Sequence, residues 1–215
     1  MPDPILQFEH ITKRFPGVVA LDGVDFAMRR GEVHALMGQN GAGKSTLIKV
    51  LTGVYPRDGG EVFFEGEPFA PRSPLEAQLR GISTIYQEVN LIPYLSVAEN
   101  IFLGRQPRRF ARIDWATMRR RARELLRTFD LELDVDRPVA SYPVAIQQMV
   151  AIARAVDISA RLIIMDEPTS SLDENEVRKL FEVIRGLKAR GVAVLFITHF
   201  LDQAFEISDR MTVLR

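Results

Sequence analysis

Residues 38–46 constrain this chain more than any other stretch: Gly38, Gln39, Asn40, Gly41, Ala42, Gly43, Lys44, Ser45 and Thr46 match the phosphate-loop pattern G-x-x-x-x-G-K-[ST]. A polyphosphate has to be gripped by converging backbone N–H groups, and glycines let the chain curl round it without Cβ clashes. Lys44 then neutralises charge and Ser45 can hold Mg²⁺. The apolar run Val33 to Met37 reads as a strand entering the loop, and Ser45 to Leu51 as a helix leaving it. That helix N-terminus adds unpaired N–H groups and the positive end of its dipole.

The 215 residues suffice for one substantial α/β core with a smaller attached subdomain. Lysine plus arginine (28) equals aspartate plus glutamate (28), so no overall field draws the chain to nucleic acid or to an anionic membrane, which leaves local patches alone to do so. With no cysteine, disulfides and thiol chemistry are ruled out. The longest apolar runs fall far short of the ~18 residues of a membrane helix, and the N-terminus lacks the pattern of a signal peptide.

Ile5 to Phe8 and Val24 to Met28 read as antiparallel strands, and Glu61 to Phe64 adds a third, giving an N-terminal β-subdomain. Phe15, on the loop expected between the first two strands, has two readings, stacking on a nucleobase or packing into the core. Ser73-Pro74-Leu75-Glu76 and Ser96-Val97-Ala98-Glu99 are capping-box patterns, and Asp114 is placed to cap a helix from Trp115. Ile82 to Tyr86 forms a strand delivering Gln87. From about 96 to 156 the sequence reads as an inserted helical subdomain, with a basic stretch at Arg105, Arg108, Arg109, Arg112, Arg119, Arg120, Arg121, Arg123 and Arg127. Few aromatics are interleaved, which favours a solvated face or a protein-docking edge over a nucleic-acid surface.

Leu162 to Met165 is a strand buried on both faces that ends in Asp166-Glu167. Asp166 can orient Mg²⁺ through its water shell, and Glu167 can take a proton from the water attacking a γ-phosphate. Val192 to Ile197 delivers His199 to the same sheet edge, where it can contact a γ-phosphate. His10 and His34 are assigned no chemistry. The sequence ends at Arg215 within a strand, so an excised domain of a longer polypeptide is expected.

With the phosphate loop, Gln87, Asp166-Glu167, Ser171-Leu172-Asp173 and His199 in this order, the whole chain resembles the ATP-binding subunit of an ABC transporter. The resemblance implies an α/β P-loop NTPase fold with a parallel sheet, an antiparallel β-subdomain and a helical insertion. It implies ATP held by residues 38–46 with Phe15, Gln87 and Asp166. Mg²⁺ would sit on Ser45, Gln87 and Asp166, partly through water, with Lys44, Glu167 and His199 catalytic. Ser171-Leu172-Asp173 corresponds to the D-loop. Thr52 to Tyr55, Tyr86 to Leu91 and Val97 to Gly104 look like the monosaccharide importers, whose ATPases commonly carry two such domains in one polypeptide. This chain would be the first of the two. Val144 to Ile152 and Thr198 to Gln203 look most like the galactofuranose-importing branch.

The implied partners are a second ATP-binding domain, membrane permease subunits and, indirectly, a periplasmic sugar-binding protein, at the cytoplasmic face of the inner membrane and without nucleic acid. One departure stands out. The family signature Leu-Ser-Gly-Gly-Gln falls at Tyr142-Pro143-Val144-Ala145-Ile146, where none of the five residues is kept. Pro143 offers neither hydroxyl nor N–H, which puts in question the site this chain would complete for its partner rather than its own. An ABC-type ATPase acting on nucleic acid or ribosomes, and an idle nucleotide-binding scaffold, are the alternatives.

Overall fold

A computed structural model describes residues 4–86 and 91–215. In chain order it contains β1 (Pro4–Phe15), β2 (Val18–Arg29), β3 (Val33–Gly38), α1 (Lys44–Leu51), β4 (Gly59–Phe64), β5 (Glu67–Pro68), α2 (Pro74–Leu79), β6 (Ile82–Ile85) and α3 (Val97–Ile101). There follow β7 (Arg108–Arg109), β8 (Arg112–Ile113), α4 (Trp115–Arg127), α5 (Val144–Asp157), β9 (Leu162–Asp166), α6 (Glu174–Ala189), β10 (Ala193–Ile197), α7 (Leu201–Ile207) and β11 (Arg210–Leu214). The chain divides into two compact units, one of Met1–Thr84, Ala160–Glu167 and Ile184–Arg215, the other of Ile85–Ser159 and Pro168–Val183.

The first unit holds two sheets. Strands β2-β1-β4-β5 form the antiparallel one. Strand β1 is three times the length expected from the sequence because it continues through a bulge. At His10 (φ 52°) the register with both neighbours shifts, and the free N–H of His10 donates to the Asp25 carboxylate at 2.8 Å. Gly60 has to be glycine there, since a Cβ would meet the carbonyl oxygens of Glu9 and His10 at 2.3 and 2.4 Å. Phe15 therefore closes a strand rather than sitting on a loop.

The second sheet has the order β11-β3-β10-β9-β6. Strands β3, β9 and β10 are buried almost throughout, as in parallel strands covered on both faces. Their register is in step: Ile197 pairs with Leu36 on one side and Asp166 on the other. The carboxyl ends of all three strands therefore finish at one level. Leu36, Ile164, Leu195 and Leu47 belong to one apolar core with Phe8, Phe26 and Phe64.

In the second unit, Val97, Ile101, Met118, Leu126 and Val150 make a separate core. Ser96 forms a complete capping box with Glu99, and Asp114 caps α4 by accepting from the Thr117 N–H at 3.0 Å, both as the sequence indicates. Ser73 differs: it accepts from the Glu76 N–H, but the Glu76 carboxylate reaches back to the N–H of Arg72 instead of closing the box. The stretch expected to be helical is interrupted by the β7–β8 hairpin.

Candidate functional site

The loop between β3 and α1 owes its shape to three glycines with positive φ, Gly38 (153°), Gly41 (86°) and Gly43 (92°). A Cβ on Gly38 would approach the Leu214 carbonyl oxygen to 2.6 Å, and one on Gly43 the Ala20 carbonyl oxygen to the same distance. Only glycine allows this approach. Gly43 is also the N-cap of α1 and supplies no side-chain cap, so the first N–H groups of the helix are left for another acceptor. Gln39, Asn40 and Ser45 are exposed, with Ala42 and Thr46 half-buried.

Lys44 is buried, and its ammonium donates to the carbonyl oxygens of Gly38 and Gln39 at 2.7 and 3.0 Å. Those bonds fold the side chain back across its own loop and hold a positive charge in the loop's concavity.

Asp166 ends β9 beside Ile197 of β10. Burial pushes its carboxyl pKa up, the adjacent Glu167 charge adds to the rise, and Lys44 and Lys49 pull the other way. The next residue, Glu167, lies in the left-handed region (φ 48°), with its N–H donating to the Ile197 carbonyl at 3.0 Å. That conformation is costly for a residue with a Cβ. It turns the chain at the sheet edge and sets the Glu167 carboxylate 3.2 Å from Nδ1 of His199. His199 is half exposed and its ring centroid lies 4.0 Å from that of Phe200.

The structure thus brings the phosphate loop, Lys44, Asp166, Glu167 and His199 to one edge of one sheet. Phe15 is half-buried, edge-on to Tyr55 (centroids 5.2 Å apart), with the Lys13 ammonium 5.4 Å from its ring centre. Gln87 lies outside the described residues. Just beyond, Asn100 is fully buried and ties down the following loop: its amide bonds Ile92 on both N–H and carbonyl, and the carbonyls of Leu95 and Ser96. No sequence pattern singles Asn100 out.

Asp173 and Glu176 form a reciprocal capping box at the start of α6, each carboxylate accepting the other's N–H, at 2.9 and 3.0 Å. The D-x-x-E spacing carries that signal. Pro143 is the N-cap of α5 and makes no side-chain cap; Ala145 is buried and Val144 exposed. The Gln147 amide donates to the Tyr142 carbonyl at 2.9 Å, closing the turn into the helix. His34 is buried between Glu32 and Thr212, at 3.0 and 2.8 Å.

Comparison with known proteins agrees with the family resemblance read from the sequence. The family model described as ABC transporter matches residues 21–170. The chain is 54% identical over 211 residues to the galactofuranose transporter ATP-binding protein YtfR of Escherichia coli (strain K12), which covers 98% of this chain and 42% of that protein. It is 58% identical over 212 residues to ribose import ATP-binding protein RbsA 1 of Rubrobacter xylanophilus, again 99% of this chain and 42% of the relative. It thus spans less than half the length of the curated relatives it matches. Among solved structures, the ADP conformation of MJ1267, an ATP-binding cassette of an ABC transporter, superposes with a TM-score of 0.87 at 30% identity, covering 99% of this chain and 87% of that one. The fold is an α/β P-loop NTPase core of ABC type, and with the family model covering most of its length, the chain belongs to the ABC transporter family.

Proposed function

We propose that the chain is an ATP-hydrolysing domain that powers import of a monosaccharide through separate membrane subunits. The shared sheet edge, on which the phosphate loop, Asp166, Glu167 and His199 meet, supports the hydrolytic part of this reading, and the likeness to sugar import ATP-binding proteins supports the transport part. The N–H groups of residues 38–46 and the Lys44 ammonium bind the polyphosphate, and Phe15 presents a half-exposed ring to the base. The Ser45 hydroxyl and the Asp166 carboxylate offer the hard oxygen donors that Mg²⁺ prefers. Gln87 completes that set. When bound, the cation neutralises charge on the transferred phosphoryl group.

Glu167 accepts a proton from the attacking water, a role worth ~10²–10⁴-fold in rate. His199, within reach of Glu167, orients that carboxylate and contacts the γ-phosphate. Pro143 has no donor at the start of α5, so the site this chain completes for a partner domain turns over more slowly than its own.

Relatives named for galactofuranose, ribose and fructose are 54, 58 and 53% identical. That near-equality supports a sugar class rather than one sugar. The partners are a second ATP-binding domain, permease subunits and, through them, a periplasmic binding protein, which puts the chain at the cytoplasmic face of the membrane as a peripheral subunit. Among the described residues no helix is long and apolar enough to cross a membrane. The test is phosphate release from MgATP by the full-length protein reconstituted with its permease. Stimulation by a sugar-loaded binding protein supports the reading, and turnover indifferent to every sugar contradicts it.

A further inference from the structure

The basic stretch is not one surface. Five of its arginines are spent inside their own unit: Arg105 and Arg121 on Asp157, Arg119 and Arg123 on Asp136, Arg120 on Glu124. Arg108, Arg109 and Arg112 differ. They form the β7–β8 hairpin, and no carboxylate among the described residues lies within ion-pair distance of them. Asp114 feels the Arg109 charge, but its carboxylate is bonded to the N–H and hydroxyl of Thr117. Arg109 and Arg112 are also direct cross-strand partners. Like charges in that position repel, and an anion between them turns the repulsion into attraction.

The tip adds an independent oddity. Its two residues, Phe110 (φ 49°) and Ala111 (φ 63°), both adopt the left-handed conformation of a type I′ turn, where glycine or asparagine is preferred. Phe110 adopts that strained conformation while 90% exposed, with the Arg109 guanidinium 5.6 Å from its ring centre. Ile113 and Trp115, beside the base of the hairpin, are exposed as well. A strained conformation that holds an apolar side chain in water gains nothing for the fold and points to a partner.

We propose that the β7–β8 hairpin docks on an anionic phospholipid surface, with Phe110 entering the headgroup–acyl boundary and Arg109 and Arg112 sharing lipid phosphates. A protruding apolar tip above unpaired arginines matches a layered partner that is anionic outside and apolar within. An acidic protein segment answers the charges but not the projecting ring. The contact is independent of nucleotide chemistry, so it stands or falls separately from the ATPase reading.

Vesicles test it directly, by co-sedimentation of the protein with phosphatidylcholine alone and with an equal mixture of phosphatidylcholine and phosphatidylglycerol. Binding is expected only to the mixed vesicles, and it weakens with salt. Each arginine near an anionic surface is worth about fivefold, so Arg109→Ala with Arg112→Ala lowers the partition coefficient roughly 30-fold. Arg119→Ala, which removes an already paired charge, leaves it unchanged. Phe110→Gly separates function from folding, because it relieves the turn and raises the melting temperature while weakening vesicle binding. Equal binding to both vesicle types, or binding to mixed vesicles untouched by the double substitution, overturns the proposal. Capture of an acidic polyglutamate peptide in preference to the vesicles overturns it too and assigns the hairpin to a protein partner.

Discussion

Oε1 of Glu167 and Nδ1 of His199 lie 3.2 Å apart, across the gap between two neighbouring parallel strands. The contact exists because Glu167 leaves β9 in a left-handed turn and His199 leaves β10 two residues past the paired Ile197. We propose that function requires this strained turn while the fold does not. Glu167→Gly should therefore stabilise the protein by about 1 kcal/mol, a rise of about 2–4 °C in melting temperature for a chain of this size, while abolishing turnover. Thermal unfolding and phosphate release on the same preparation check both halves.

Lys44 is buried with its charge directed at loop carbonyls, so its loss removes the one cation inside the phosphate loop that the structure places there. Lys44→Ala should weaken MgATP binding by about ten- to a hundredfold, the worth of a charge-assisted hydrogen bond. Lys44→Arg should not rescue it, because the planar guanidinium does not fit a site shaped for a compact ammonium. Titration calorimetry reads both.

The loop glycines should not be equivalent. A Cβ at Gly43 collides with the Ala20 carbonyl, whereas one at Gly41 meets nothing within 4 Å. Gly41→Ala should cost only the backbone strain, about 1–2 kcal/mol. Gly43→Ala adds the collision and should be clearly less stable and fail to bind nucleotide. Denaturant unfolding of the two variants side by side gives the ranking, and equal stabilities would contradict it.

Asp166 gives a pH prediction with a definite sign. Its folded-state pKa is raised, by burial first and by Glu167 second, so the folded protein holds this proton more tightly than the unfolded chain does. The stability associated with the protonated group is complete below the unfolded value of about 3.9 and is lost as pH rises through the folded value. Above the folded value the ionised carboxylate is a net cost. Asp166→Asn should raise the melting temperature there, and the gain should shrink to nothing as the pH falls below the ordinary aspartate range. Added Mg²⁺ with nucleotide should stabilise the parent protein more than the variant.

Much of this was legible in the sequence because its signals are local. The loop glycines, the strands buried on both faces, and the caps at Ser96 and Asp114 each need only a few adjacent residues to be read. The bulge at His10 was hidden, since one extra residue breaks the alternation by which a strand is recognised, and β1 looked as if it ended at Phe8. The β7–β8 hairpin was hidden for a different reason. Its turn is Phe110-Ala111 instead of the expected glycine or asparagine, and arginine-rich flanks read as helix. The division of the arginines depends on Asp157 and Asp136, 52 and 17 residues from Arg105 and Arg119, a separation no local pattern spans.

We propose that Glu167 is the base for ATP hydrolysis at this sheet edge. The direct measurement is MgATP binding and single-turnover hydrolysis by Glu167→Gln, which keeps the size and hydrogen-bonding reach of the side chain but cannot take up the proton. Affinity close to that of the parent protein with hydrolysis slowed by about 10²–10⁴-fold is the predicted result. Hydrolysis at the parent rate would contradict the assignment.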